Sequence, residues 1–351
     1  MSSNPFENEP GHEGTSLKED KEAQDYASKV NLSCPTTSRF ANTSQIQHET
    51  LRITVIQRLE RLLQIHDKDK PFEEDKPSRP SPSAYTEDED EPLSEINLDD
   101  DADDAQFEPF GDLYKQRFLW YYDAYAMTIA KAAEGVKNGK SFPVTPFEFY
   151  NNQMAGKYAY KTLSTRLRRI RKALDDERDA WSIQGLQAVK EERGIATNLA
   201  RQFEQHSTFF SQSTFPVELA LVDDNPFVWN LTFFGKAETD LYGATINVRI
   251  HFSPNFPREQ PRVNVLTPLF HHRISKTGGV LCYFPTKPEN VRNHIEAIMA
   301  SIEEEQPAHD PRTLVNPDAA VLLWGKEDQK KVYRRKLRRS VQDSMENIDE
   351  F

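Results

Sequence analysis

A chain of 351 residues with a net charge of -12, 28% charged and 37% hydrophobic residues and a mean hydropathy of -0.75 is too polar to be packed throughout. It has room for about two domains, and its acidic excess argues against general nucleic-acid or membrane-surface binding. The two cysteines, Cys34 and Cys282, make no disulfide framework, which fits a reducing cytoplasm or nucleus. The opening residues lack a basic n-region and an apolar h-region, and no run approaches the roughly 18 apolar residues of a membrane span, so a soluble protein without a secretory signal is expected.

Residues 1–105 read as mostly disordered, being rich in Ser, Thr, Asn, Glu and Lys. The exception is an amphipathic helix over about 45–66, where Leu51, Val55, Ile56, Leu59, Leu62 and Leu63 recur at helical spacing. A lone helix cannot bury such a stripe, so it docks on the later domain, on a partner or on a second copy. An acidic linker follows, with Glu87–Glu91, Asp99–Asp101 and Asp103–Asp104. It reads as a solvated spacer, with a basic partner as the other reading.

Residues 106–190 form a helical extension. The segment Leu113–Glu134 has no Gly or Pro and is aromatic on more than one side, which reads as core packing. A second helix, Tyr158–Trp181, bears Arg166, Arg168, Arg169, Arg171 and Lys172 directly before an acidic cluster, giving a charge-mixed face. A third, shorter helix is expected over Asn198–His206.

From residue 215 the period changes to two. Strands are expected at Phe215–Val222, Val228–Phe234, Ala244–Phe252 and Val263–Val265, joined by short turns into an antiparallel meander. Helices follow at Val291–Glu305 and from Pro317 onward. The sum is an α+β domain over residues 195–347. The last helix carries seven Lys and Arg residues between Lys330 and Arg339, a solvated face or a partner for the acidic linker.

The chemistry concentrates in Phe270-His-His-Arg-Ile-Ser-Lys-Thr-Gly-Gly-Val-Leu-Cys282. Cys282 is either a buried small hydrophobe or a nucleophile paired with His271 or His272 as in a hydrolase. No metal-ligand spacing is present, so no metal or cofactor is expected.

The order of motifs resembles the ubiquitin-conjugating enzyme family. Asn225–Trp229, Tyr242-Gly243, Phe252–Pro257 with Pro261–Val263, Phe270-His271, Gly279–Cys282 and Asp310-Pro311 with Leu314–Ala320 fall in the family's sequence. The resemblance implies a fold of a four-strand antiparallel meander flanked by helices. It implies an acyltransferase carrying ubiquitin or a ubiquitin-like modifier as a thioester on Cys282, with an activating enzyme and a ligase as partners. Asp310 falls at the position of a gating acid. The family's His-Pro-Asn reads here as His271-His272-Arg273, so Arg273 or His272 would replace the asparagine of the oxyanion loop, and Arg273 lies one residue farther from the cysteine. Gly278-Gly279 would let the modifier's tail approach closely. Arg258 stands where many members show ligases a hydrophobic residue. The alternative is a catalytically silent variant of the fold that binds or scaffolds.

Overall fold

A computed structural model describes residues 43–65, 110–142, 156–212, 217–305 and 307–346. The strands expected from the period-two pattern pair antiparallel in the order β1-β2-β3-β4: β1 Glu218–Val222, β2 Asn225–Phe234, β3 Thr245–His251 and β4 Arg262–Val265. Asp223 and Asp224 both take positive φ, 52° and 54°, which turns β1 tightly into β2, and Asn225-Pro226 already belongs to the second strand. Trp229 pairs with Ile250 and Leu231 with Val248, so alternate residues of β3 (Ile246, Val248, Ile250) enter one core.

Among the described residues seven helices accompany the sheet. Helix α5, Val291–Glu303, is capped by Asn290, which accepts from the Arg292 N–H, and brings Val291, Ile295, Ile298 and Ile302 into the sheet core. The single helix expected from Pro317 is two: α6 Pro317–Leu323 and α7 Glu327–Glu346, parted at Trp324–Lys326. Tyr333, Leu337 and Val341, four residues apart, turn α7 inward and leave its basic residues outside.

Ahead of the sheet, α1 runs Thr43–Glu49, Thr50–Gln57 (π-helical) and Arg58–Leu62; α2 is Gly111–Gly135, α3 Tyr160–Lys190 and α4 Gly194–Ser211. Both α3 and α4 outrun their expected lengths because each continues over the sheet, α4 setting Phe203 against Trp229 at 5.2 Å between rings. Of the three dockings open to the first helix, α1 adopts the one within its own chain. Leu51, Ile56 and Leu59 join Phe118, Tyr125 and Ile129 of α2 and Leu163, Leu167, Ile170 and Leu174 of α3 in a second core. Glu60 accepts from the Arg166 guanidinium at 2.8 and 2.6 Å across that contact. The Arg-rich face of α3 is charge-mixed, with Asp175 bonded to Arg171 at 2.9 Å and to Arg178 at 3.2 Å. The acidic linker and Cys34 lie outside the described residues, and so does any contact of that linker with α7.

Near its C-terminal end α3 crosses the sheet at a glycine. The Asn225 amide donates to the Ser182 carbonyl at 3.0 Å, and a Cβ at Gly185 would stand 2.6 Å from the Phe227 ring. Gly185→Val therefore overpacks this crossing and should destabilise the fold by about 2 kcal/mol, read as a lower urea midpoint with an unchanged slope.

Candidate active site

The loop after β4 places the cysteine. Gly278 and Gly279 take φ of 75° and 62°, a region that penalises any Cβ. A Cβ on Gly279 would lie 2.2 Å from the Val265 carbonyl, and one on Gly278 would lie 2.8 Å from the Arg171 guanidinium. The close approach these glycines allow is thus to β4 and to α3. The Val265 N–H donates to the Gly279 carbonyl at 2.8 Å, and the Asn264 amide to the Gly278 carbonyl at 2.6 Å. Beyond them Val280 and Leu281 bridge to Asn264 and Ile274, and the Cys282 N–H donates to the Arg273 carbonyl at 2.9 Å. The segment is extended, so its side chains alternate: Leu281 and Tyr283 enter the sheet core, Val280 and Cys282 the core of the extension.

Cys282 is 0% exposed. Its thiol donates to the Arg312 carbonyl at 3.5 Å, and the Tyr121 hydroxyl of α2 donates to the same oxygen at 2.8 Å. Burial pushes the thiol up to about 12; the Arg273, Arg117 and Arg312 guanidiniums pull the other way and lose, while Asp310 adds to the rise. Against an ordinary value of 9.0, that leaves about a thousandfold less thiolate at neutral pH. Asp310 caps the turn Pro311–Thr313, accepting from the Arg312 N–H at 2.9 Å and from its guanidinium at 2.8 to 3.1 Å. The Arg312 hydrogen bonds hold this carboxyl below the usual range, with Arg273 adding to them.

Neither histidine pairs with the thiol. His271 Nδ1 accepts from the Arg273 N–H at 3.2 Å, and burial pushes this ring down to about 3. His272 is also 0% exposed, lies edge-on to Trp324 at 5.1 Å, and neither ring nitrogen has a hydrogen-bond partner. Burial drives it well below the usual imidazole range. Its carbonyl accepts from Val315 and Asn316 at 3.2 and 3.0 Å, tying the site to the head of α6. The hydrolase arrangement is overturned, because the S–H goes to a carbonyl and both imidazoles are sealed away. Of the expected site residues, Cys282 is tied to the Arg273 backbone and, through the Arg312 carbonyl, to the turn that Asp310 caps; His272 is packed against Trp324. Among the described residues no group of three or more His, Cys, Asp or Glu could hold a metal, and no helix is long and apolar enough to cross a membrane.

Residues 195–341 match the family model described as ubiquitin-conjugating enzyme. This region is a ubiquitin-conjugating core domain. It is similar to proteins named ubiquitin-conjugating enzyme E2 2. The one from Neurospora crassa is 26% identical over 133 residues, 37% of this chain and 85% of the relative. The one from Aspergillus fumigatus is 27% identical over 133 residues, 37% and 85% of the two chains. The one from Saccharomyces cerevisiae is 24% identical over 131 residues, 37% and 74%.

Helices α1 to α3 precede the matched conjugating domain, yet α2 and α3 supply contacts around its cysteine. Asp123 Oδ2 accepts from the Lys276 and Thr277 N–H groups at 2.7 and 3.1 Å, and Oδ1 from the Thr277 hydroxyl at 2.6 Å. Arg171 donates to the Thr277 carbonyl at 3.3 Å. Trp120 meets Phe284 edge-on at 5.5 Å. Asp112 accepts from the Gln260 N–H at 2.9 Å and from the Arg262 guanidinium. Sequence reasoning missed these residues. The available signal was the aromatic character of α2 on more than one side, which marks a helix buried between two partners.

The sealed histidines give the conjugating domain an acid limb. Their protonation is depressed in the folded chain, so their contribution is complete above the ordinary value of 6.5 and is lost as pH falls from there towards 3. His272→Phe keeps an aromatic edge on Trp324 and strands no nitrogen. It should hold or raise stability at neutral pH by up to about 1 kcal/mol and flatten the loss of melting temperature between pH 7 and pH 5.

Proposed function

We propose that the chain is a conjugating enzyme that carries ubiquitin, or a ubiquitin-like modifier, as a thioester on Cys282 and passes it to a lysine. The observation that carries this reading is the meeting, inside a ubiquitin-conjugating core, of the thiol with the Asp310–Arg312 turn and the Arg273 guanidinium. In charging, the Cys282 thiolate attacks the carbonyl carbon of the thioester held by an activating enzyme. A new C–S bond forms, the old one breaks, and the departing thiolate takes up a proton. In transfer, a lysine amine attacks the same carbon, the C–N bond forms, and Cys282 leaves as thiolate while the amine's proton passes to Asp310 or to water.

Arg273 supports the tetrahedral oxyanion in this reading. Its Nε is buried without a hydrogen-bond partner, while its Nη2 is held by Glu304 at 2.8 Å. A guanidinium so anchored keeps its buried Nε–H unpaired, a donor for developing negative charge. Asp310, held ionised by Arg312, attracts and orients a lysine ammonium more than it deprotonates one. Arg258 is exposed, so a ligase reaching that loop meets a cation there. The cytoplasm or nucleus is the compartment this chemistry asks for.

A second reading is favoured by one observation, the complete burial of Cys282: a silent conjugating fold that binds a modifier or scaffolds a complex. The two separate in one experiment. With activating enzyme, ATP and ubiquitin or a ubiquitin-like modifier, the full chain should form an adduct cleaved by thiol reductant. Cys282→Ala should lose that adduct and Cys34→Ala should keep it. Arg273→Ala should slow transfer to free lysine by about 10- to 100-fold. If no modifier forms an adduct while Cys282 reacts with a small alkylating agent, the function passes to the binding reading.

A further inference from the structure

We infer that helix α2 is a lid over the active-site thiol, and that the chain exchanges between a closed form that cannot be acylated and an open form in which α2 has left the loop 275–279. This deepens the thioester reading and rests on it for its biological meaning, though not for its test.

Three observations carry it. First, Cys282 does not sit in the core of its own domain. Together with Val280 and Val315 it is buried in the cluster of the extension, which α1 and α3 build with Phe118, Leu119, Trp120, Tyr125 and Ile129 of α2. A thioester places a carbonyl and a peptide tail on Sγ, and a sulfur 0% exposed leaves no room for either. Second, one helix grips both sides of the thiol. Asp123 holds the loop before it at Lys276 and Thr277, and Tyr121 holds the turn after it through the Arg312 carbonyl. Third, the polar part of the grip is local. Asp123 takes two backbone N–H groups and one hydroxyl, and Asp112 takes the Gln260 N–H and Arg262, so α2 is fastened to the conjugating domain at discrete points. The sheet core, with Trp229, Leu231, Val248, Ile250 and Ile295, contains no residue of α2. The conjugating domain therefore keeps its own core when α2 lifts.

The closed form also accounts for the thiol's poor ionisation, since burial, aided by Asp310, outweighs three nearby guanidiniums. Opening admits water and leaves Arg273 and Arg312, both part of the conjugating domain, beside the sulfur.

The test reads the thiol directly, without modifier or activating enzyme. In full-length chain carrying Cys34→Ala, so that one thiol reports, the rate of alkylation by iodoacetamide is measured against the same chain unfolded in guanidinium chloride. The native rate should be at least 100-fold lower. Asp123→Ala should raise it at least tenfold, and the near-isosteric Asp123→Asn severalfold, while amide exchange of β2 and β3 stays as slow as in the parent chain. A native rate equal to the unfolded one, or one unmoved by both Asp123 variants, overturns the lid. So does a rate rise that comes only with loss of β2 and β3 protection, because then α2 does not move separately from the sheet. A thiol freed by Asp123→Ala that still takes no modifier refutes the thioester reading and leaves the lid. An adduct on a chain whose thiol was never shielded does the reverse.

Discussion

One carboxylate, Asp123, fastens the helical extension to the loop that leads to the cysteine of the conjugating domain. It satisfies two backbone N–H groups and a hydroxyl in the loop just ahead of Cys282. The loop pairs Ser275 with Val280 internally, and Asp123 supplies the acceptor for the donors between them. Supplying the acceptor from another helix makes the loop's shape and that helix's position one property. Hydrogen bonds to a charged acceptor are among the stronger ones, and the buried Asp123 carboxylate left without these donors would keep its full desolvation cost. The same helix sets Trp120 edge-on to Phe284 and gives the Tyr121 hydroxyl to the Arg312 carbonyl.

Around the sulfur, two effects of opposite sign compete. Desolvation disfavours the thiolate, while the guanidiniums of Arg273, Arg117 and Arg312 favour it. With α2 in place desolvation wins. The arrangement separates charge from access: the cations that suit a nucleophile are already assembled, and what withholds reactivity is the absence of water. His271 and His272 belong to the opposite class, polar rings carried into the core as packing elements with no charged state to offer.

Most of the architecture was legible in the chain. The strands follow from alternation in Ile246, Val248 and Ile250, and their order from turns too short for crossovers. Helix ends moved where tertiary contact overrode local pattern, as in α3, which runs nine residues past Trp181 to Lys190 in order to cross Phe227. The thiol, Asp310 and Arg273 were visible as motif positions. The covering of the thiol was not, because Asp123 and Thr277 are 154 residues apart and neither type is unusual alone. Composition marks an aromatic helix as buried; it does not say what the helix is buried against. The surroundings of the His272 ring were hidden for a related reason: a motif position tells where the backbone goes, whereas Trp324 lies where the ring goes.

The alternation from Val280 to Tyr283 makes the direction of the thiol a matter of parity. Even-numbered residues face the extension and odd-numbered ones face the sheet. Adding or removing one residue between Gly279 and Cys282 would trade the sulfur for the Leu281 side chain and bury it beneath the sheet. A change of length in the loop before Gly278 leaves parity untouched, since the bridge from Asn264 to Val280 resets the register. The three residues ending at the cysteine therefore set which way the sulfur points, while the length of the loop ahead of the glycines is held instead by its bonds to Asp123.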